Sequence, residues 1–249
     1  DNYGMLNNDS GGTLNNRGTL NNFGTLTNTG TLISIDTLTN SGTLGNSGTI
    51  NGSVDVKAGG KFYNLGTING NVDISSEFLD NQNGGTINGN LNLKAGGMIG
   101  SGTINGSVTI GGLMRPGFYV GSVVTGNQTW IDGGAYRWQI KDSEAVDGFD
   151  VMHITATAGD QGVLDLSQLT TGGFGIQLVT LNDLNQNGNP AEGFDDPNAD
   201  YEFVILTTVG GITGFDAEDF VIYDRGFANS GSWEWSIEQD GNNLVLSAT

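Results

Sequence analysis

The chain has 249 residues, of which 36% are apolar, so it is long and apolar enough for one large core or two ordinary ones. Eight basic and 27 acidic residues give a net charge of −19, which argues against nucleic acid and anionic membrane surfaces as partners. No cysteine is present, which excludes disulfides and thiolate metal sites, and no apolar run approaches the roughly 20 residues that span a bilayer. Since glycine (43) is frequent and proline (3) is rare, we expect short strands joined by tight turns.

The first half of the chain is built on a hexad repeat. The triplet Gly-Thr-Leu or Gly-Thr-Ile begins at Gly12, Gly18, Gly24, Gly30, Gly42 and Gly48. The same triplet returns at Gly66, Gly85 and Gly102, each time close to three hexads after its previous occurrence. Three hexads therefore make one coil of about 18 residues. Because one hexad cannot bury an apolar face alone, successive coils must stack, and we predict a hexad-based β-solenoid over residues 1–113.

Strand alternation predicts which side chains of each hexad point inward. The expected inward residues are Leu14, Leu20, Leu26, Leu32, Leu38, Leu44 and Ile50. Asparagines follow two positions later, as at Asn28 and Asn46, where we expect corners and amide ladders along the stack. From about Ile50 a longer unit with alternating pairs such as Val54/Val56 and Val72/Ile74 continues the pattern of half-buried strands.

Three later stretches carry a family resemblance. They are Gly-Thr-Ile-Asn-Gly-Ser-Val-Thr-Ile-Gly-Gly-Leu-Met-Arg-Pro-Gly at 102–117, Gly-Ser-Val-Val-Thr-Gly-Asn-Gln-Thr-Trp at 121–130 and Gly-Phe-Asp-Val-Met-His-Ile at 148–154. Over about residues 48–160 the chain resembles bacterial autotransporter passenger domains and secreted proteins with autotransporter-associated β-strand repeats. The resemblance implies a right-handed β-helix with a β-rich closing region, in an adhesin or surface structure outside the cell. Strict hexads are also typical of left-handed hexapeptide helices, so the handedness stays open.

Residues 114–249 differ in composition from the repeat. Aromatic residues collect there, and alternating stretches occur at 135–140, 201–206 and 233–237. We predict that this half forms a β-sandwich-like C-terminal domain with little helix. It also holds 20 acidic and 4 basic residues, whereas residues 1–113 hold 7 and 4. Solubility in a salty medium is the simpler explanation of this acid, and binding of divalent cations is the other.

One acidic segment begins like an EF-hand calcium loop, with oxygen side chains at positions one, three and five and Gly188 at position six. Position twelve is Phe194, where the EF-hand has a glutamate, so other carboxylates must close the shell. The residues of this candidate calcium site are Asp183, Asn185, Asn187, Glu192, Asp195 and Asp196. The alternative is an acidic surface loop without metal.

The sequence offers little for catalysis. His153, the only histidine, lies in a strand pattern, which favours a structural role and excludes mechanisms that need two imidazoles. No nucleophile elbow, phosphate loop or dinucleotide fingerprint occurs. Carboxylate pairs such as Asp147 and Asp150 arise by chance among 27 acids, and a glycosidase or lyase would need two of them in a cleft. We therefore expect that the protein is not an enzyme.

We predict an extracellular or cell-surface structural protein, a fibre subunit whose partner is a further copy of itself. The repeat begins almost at once, at Gly4–Leu6, without a charged cap, and an open coil edge favours head-to-tail strand pairing. The first alternative is an adhesin that binds surface glycans through exposed aromatic residues. Ice binding by the stacked Thr13, Thr31 and Thr49 is less favoured, because one threonine column is narrow for a flat surface, and a polysaccharide lyase is the last alternative.

Overall fold

The structure is a computed structural model that describes residues 1–75, 78–82, 84–194, 196, 199–231 and 233–249. Three sheets, whose strands are parallel except at one end of the second sheet, wind around one shared core and form a β-solenoid. The described residues contain no α-helix, and their only helical turn is the 3-10 turn Ala217–Asp219. The predicted all-β solenoid is confirmed.

The strands are numbered in chain order and divide among three sheets. The first sheet contains β1 Met5–Asn8, β4 Thr25–Asn28, β7 Thr43–Asn46, β10 Lys61–Asn64, β13 Phe78–Asn81, β16 Gly97–Ile99, β19 Leu113–Arg115, β22 Ala135–Ile140, β25 Phe174–Thr180 and β28 Phe220–Gly226. The second sheet contains β2 Thr13–Asn16, β5 Thr31–Ser34, β8 Thr49–Asn51, β11 Thr67–Ile68, β14 Thr86–Ile87, β17 Thr103–Ile104, β20 Ser122–Thr125, β23 Val151–Ile154, β26 Tyr201–Thr208, β30 Asn243–Ala248 and β29 Trp235–Asp240. The third sheet contains β3 Leu20–Asn22, β6 Leu38–Asn40, β9 Val54–Val56, β12 Val72–Ile74, β15 Leu91–Leu93, β18 Val108–Ile110, β21 Gln128–Trp130, β24 Val163–Asp165 and β27 Gly211–Thr213.

The first coils repeat with the three-hexad period that the triplets predict. Thr25 pairs with Thr43, and Thr13 pairs with Thr31. The aliphatic residue of each hexad points into the core, where Leu26 and its counterparts in the following coils are fully buried. The glycine that opens a hexad permits the stacking, because a Cβ at Gly48 would collide with the carbonyl oxygen of Gly30 one coil below. The glycine of the triplet is thus required by close backbone approach.

Buried asparagines hold two corners of the solenoid together. Along one corner each Nδ2 donates to the Oδ1 of the asparagine in the next coil, at 2.7–2.8 Å, through Asn8, Asn28, Asn46, Asn64 and Asn81. A shorter ladder joins Asn2, Asn22 and Asn40 at 2.7 Å. The same amides also donate to backbone carbonyls, for example Asn28 to Thr49 at 3.1 Å. The predicted asparagine ladders are confirmed, and they keep the buried amides hydrogen-bonded.

The predicted C-terminal sandwich is not confirmed. Strands β22, β25 and β28 continue the first sheet in parallel, and the other two sheets also continue beyond residue 114. Among the described strands only the pairs β26–β30 and β29–β30, at the end of the second sheet, are antiparallel. The composition boundary at 113/114 falls inside β19. Alternation with period two is shared by sandwich and solenoid strands, so it cannot say which strands pair.

The later coils are longer because loops separate their strands. Ala135 pairs with Gly175, and Phe174 pairs with Phe220, so each of these coils is more than twice as long as one of the first coils. The core of these coils is aromatic, and Trp130, Trp138 and Tyr136 are the largest fully buried side chains. Trp130 stacks on Phe174 with ring centroids 4.3 Å apart. The same sheets thus enclose an aliphatic core at one end and an aromatic core at the other.

Candidate functional site

The loop between β25 and β26 contains the predicted calcium residues. Asp183 and Glu192 come together, since their side chains share a hydrogen bond, and Lys141 Nζ lies 3.7 Å from Asp183 Oδ1. That hydrogen bond, together with the charges of Asp183 and Asp142, raises the pKa of Glu192, while Lys141 opposes the shift. Lys141 therefore already offsets part of the negative charge.

The other predicted ligands are placed differently. Asn182 organises the turn, because its Oδ1 accepts from the amides of Leu184 at 3.0 Å and Gln186 at 2.9 Å. Asn185 adopts a left-handed φ of 58° in this turn. Asn187 forms an isolated bridge with Leu181. Asp196 is exposed, and Asp195 lies outside the described residues.

Among the residues that the structure describes, no three histidine, cysteine, aspartate or glutamate side chains are grouped so that they could hold a metal ion. Calcium binding at 183–196 stays a prediction.

His153 lies on the outer side of the second sheet. Its Nδ1 is 2.9 Å from Thr207 Oγ1, so the imidazole has a hydroxyl partner on the neighbouring strand. The sheet register places it in one outward column with Thr103, Val124 and Thr207. This position agrees with the structural role predicted for the histidine.

The outer side of the second sheet presents two polar columns, which we call the Thr/Asn face. One column is Thr13, Thr31, Thr49, Thr67, Thr86 and Thr103, in register from strand to strand. The other, two positions later, is Asn15, Ile33, Asn51, Asn69, Asn88 and Asn105. From Asn51 onward its amides form an exposed ladder with bonds of 2.7–2.8 Å.

The second column was missed from the sequence, although the tetrad Gly-Thr-Ile-Asn at 48–51, 66–69, 85–88 and 102–105 contains the signal. Thr and Asn two positions apart must lie on one face of a strand.

A buried carboxyl, which sequence analysis attributed to chance, anchors the loop between β22 and β23. Asp150 is fully buried, and its two oxygens accept from the backbone amides of Gly121 at 2.7 Å and Gln139 at 3.0 Å. Its own carbonyl accepts from Trp138 Nε1 at 3.0 Å. Burial raises the pKa of Asp150 well above the usual range, although the two amides and Arg115 act in the opposite direction. The neighbouring Asp147 is exposed.

A helix long and apolar enough to cross a membrane does not occur in the described part of the chain. The sequence matches no protein-family model and no curated protein.

Proposed function

We propose that this chain is an extracellular structural protein, a subunit of a surface fibre that assembles head to tail through β-strand contacts. The observation that carries the proposal is the apolar surface of the coil that contains β1 and β2. Leu6 and Leu14 are only partly buried, whereas Leu26 and Leu32, one coil later, are fully buried. Tyr3 and Met5 are 74% and 78% exposed beside them. Apolar surface of this kind favours contact with another coil.

Backbone edges support the same contact. Strands β1, β2 and β3 each pair with one strand of the chain, as do β27 and β28 at the opposite end. Edge strands present unpaired N–H and C=O groups that template further pairing. A contact between opposite ends is heterologous and propagates into a filament unless it closes into a ring. The extracellular location is supported by the resemblance to autotransporter-associated repeat proteins.

Sedimentation velocity over a range of concentrations, with electron microscopy of the same samples, tests assembly. We expect filaments of the 249-residue chain, and we expect the double substitution Tyr3→Lys/Met5→Lys to shift the protein toward monomers, because lysine blunts an open edge. The matched control is Val146→Lys/Leu184→Lys, which adds the same charge at side chains that are 94% and 76% exposed in loops. A chain that stays monomeric at every concentration would overturn the proposal.

A second candidate function is ice binding, which the Thr/Asn face favours. The sequence predicted a single threonine column, but the structure has a threonine column and an asparagine column side by side. Within a column, neighbouring side chains are about 4.8 Å apart, and the two columns are about 6.6 Å apart along each strand. From Asn51 to Asn105 the asparagine ladder fixes the amide orientations, so this part of the face is a regular two-dimensional array of hydroxyl and amide groups. Such an array suits the ordered surface of a crystal.

Thermal hysteresis measures this function directly. We expect hysteresis from the intact chain and its loss in Thr67→Lys, which places a long charged side chain in the middle of the face. Thr39→Lys is the matched control, because Thr39 is an outward threonine of the third sheet. Absence of hysteresis in the intact chain would remove ice binding.

A further inference from the structure

The outer side of the first sheet carries a pair of arginines on adjacent strands. Leu113 pairs with Ala135 and Met114 with Tyr136, so the same register brings Arg115 beside Arg137. Arg137 in turn pairs with Gln177, and Gln177 with Tyr223. We call Arg115, Arg137, Gln177 and Tyr223, with the small residues beside them, the arginine face.

Within the described residues, neither arginine has a carboxylate in ion-pair contact. The ion pairs found there all involve lysines, Lys57, Lys94 and Lys141. Like charges on adjacent strands destabilise a sheet, and the chain has 27 acidic residues from which a partner could come. Asp150 acts on Arg115 electrostatically, but its oxygens accept from backbone amides. Neither guanidinium group is therefore hydrogen-bonded to a described carboxylate, although Asp132 lines the adjacent groove.

Neutral side chains orient both guanidinium groups. Arg115 Nε donates to Gln139 Oε1 at 2.9 Å, and the guanidinium lies over the Phe118 ring, 5.7 Å from its centroid. Arg137 donates to Gln177 Oε1 from both Nε and Nη2, at 3.3 Å. An arginine has five N–H donors, so each group keeps donors for a ligand. The amides hold the two forks in place without cancelling their charge.

Grooves with a floor of small residues lie on the same sheet, and Gln177, which accepts from Arg137, lines both of them. Two depressions of about 600 Å³ and 610 Å³ share Gly133, Ala135 and Gln177, and they extend from Phe78 to Tyr223. This span covers five strand-to-strand steps, or about 24 Å. Tyr223 is 52% exposed, and a Cβ on Gly175 would lie 3.2 Å from its ring, so the glycine lets the ring lie against the floor.

Exposed aromatic rings also lie beside Arg115. Phe118 and Tyr119, in the loop after β19, are 51% and 53% exposed. Large, rigid aromatic surfaces of this kind offer contact area at a small cost in conformational entropy. The face therefore combines an elongated shallow groove lined by Tyr223, a further exposed ring at Phe118, and two cations.

We propose that the arginine face binds a polysaccharide segment with isolated carboxylate groups, whose acids pair with Arg115 and Arg137 and whose sugar rings pack on Tyr223 and Phe118. Arginine forks match carboxylate geometry and make charge-assisted hydrogen bonds. Arg115 and Arg137 lie side by side on adjacent strands, whereas Lys61, in register with Phe78, lies three strands away from Arg115. A chain with a charge on every unit would therefore find few further partners and would be repelled by the net charge of −19. This inference goes beyond the proposed fibre function, because it requires no assembly.

Native affinity electrophoresis of the intact chain tests the inference with three probes: hyaluronan, with one carboxylate in every second sugar, neutral dextran, and densely sulfated heparin. We expect retardation by hyaluronan and little by the other two. Arg137→Gln should weaken hyaluronan binding about tenfold to a hundredfold, the range that charged hydrogen bonds give. The hyaluronan affinity of Arg137→Lys should lie between those of the intact chain and Arg137→Gln, because lysine keeps the charge but lacks the forked pair of donors. Tyr223→Ala should weaken binding several-fold.

Arg17→Gln is the matched control, because it removes the same charge from an exposed position among the first coils and should leave binding unchanged. Melting curves of each variant confirm that the fold is retained. No retardation by hyaluronan, an equal loss in Arg17→Gln, or stronger binding of heparin than of hyaluronan would each overturn the proposal. Self-association is measured separately by sedimentation, so failure of this site and failure of the fibre function give different results.

Discussion

The first coils and the last coils of this solenoid share the same three sheets but fill the core between them with different side chains. In the first coils the interior combines one leucine or isoleucine per strand with buried asparagines in corner ladders. In the last coils the asparagines give way to aromatic rings: Trp130 stacks on Phe174 and meets Phe220 edge to face. Corner turns of the first coils are short, whereas the last coils contain long loops, such as the segment 181–200 between β25 and β26.

Strict repetition is confined to the first coils of the chain, and variable loops and side chains are found in the last coils. A polar ladder requires an asparagine at the same corner of every coil, so it tolerates little variation in coil length. Aromatic packing fills irregular volumes, and loops of different length can then leave the corners. The arginine face and the Asp150 anchor both occur in the irregular part, whereas the Thr/Asn face occurs in the regular part.

The largest expected effect is loss of an aromatic side chain from the last coils. Trp130→Ala should lower the free energy of unfolding by about 3–5 kcal/mol, because it opens a cavity and leaves Gln128 Oε1, 2.8 Å from the indole nitrogen, without its donor. Chemical denaturation measures the loss, and Trp130→Phe is the control that keeps most of the ring. Since repeats contact mainly their neighbours, hydrogen exchange should accelerate first in the last coils. Equal acceleration in the first coils would contradict the division into two regions.

A smaller loss is expected from breaking the inner asparagine ladder. Asn46→Ala removes the partners of Asn28 Nδ2 and Asn64 Oδ1, both at 2.8 Å and both buried, so we expect a loss of about 1–3 kcal/mol. Asn105→Ala is the matched control, because it breaks the exposed ladder, and it should change stability by less than about 0.5 kcal/mol. If both variants lose the same stability, burial of the ladder is not what makes it important.

The Asp150 anchor should give the last coils a distinctive pH dependence. Its folded pKa is raised by burial, so between the unfolded value of about 3.9 and the higher folded value the folded state binds the proton more strongly. The free energy of unfolding should therefore fall as the pH rises through this interval. Urea unfolding from pH 4 to pH 8 measures the slope, and Asp150→Asn should flatten it. Asp147→Asn, at an exposed neighbour, should leave the slope nearly unchanged.

The smallest expected effect concerns calcium at residues 183–196. If an ion binds there, excess chelator should lower the melting temperature of the dialysed protein by a few degrees, by mass action. Asp183→Asn should remove the difference between the calcium and chelator samples. An unchanged melting curve would remove calcium from the account and leave Lys141 as the described cation that offsets this acid.

Local patterns in the sequence were sufficient to predict much of the structure of the first coils. The spacing of the Gly-Thr-Leu triplets predicted the coil of three hexads, and alternation predicted the buried column that includes Leu26 and Leu44. The asparagine positions predicted the ladders. These features depend on covalent geometry and on short repeats, so one coil contains all the information needed to place them.

The irregular part could not be assigned in the same way. The stretches at 135–140 and 201–206 were recognised as strands, but their partners lie far away along the chain, across loops of unequal length. Loops of unequal length hide the coil repeat in this part of the sequence. Without that repeat, strands of a sandwich and strands of a solenoid show the same alternation of apolar and polar residues. For the same reason the candidate calcium residues could be named as a group, although the structure brings only Asp183 and Glu192 of the described ones together.

By itself the sequence determined the all-β character, the coil length and the inward column, because alternation and close glycine contacts act within one coil and its neighbour. Only the tertiary structure decided that the three sheets continue past residue 114, that Asp150 is buried, and that Arg115 lies beside Arg137. The physical reason is register. Which side chains meet across strands depends on how many residues each loop inserts between them. Local patterns in a single sequence do not show that pairing, because it forms only when the distant strands come together.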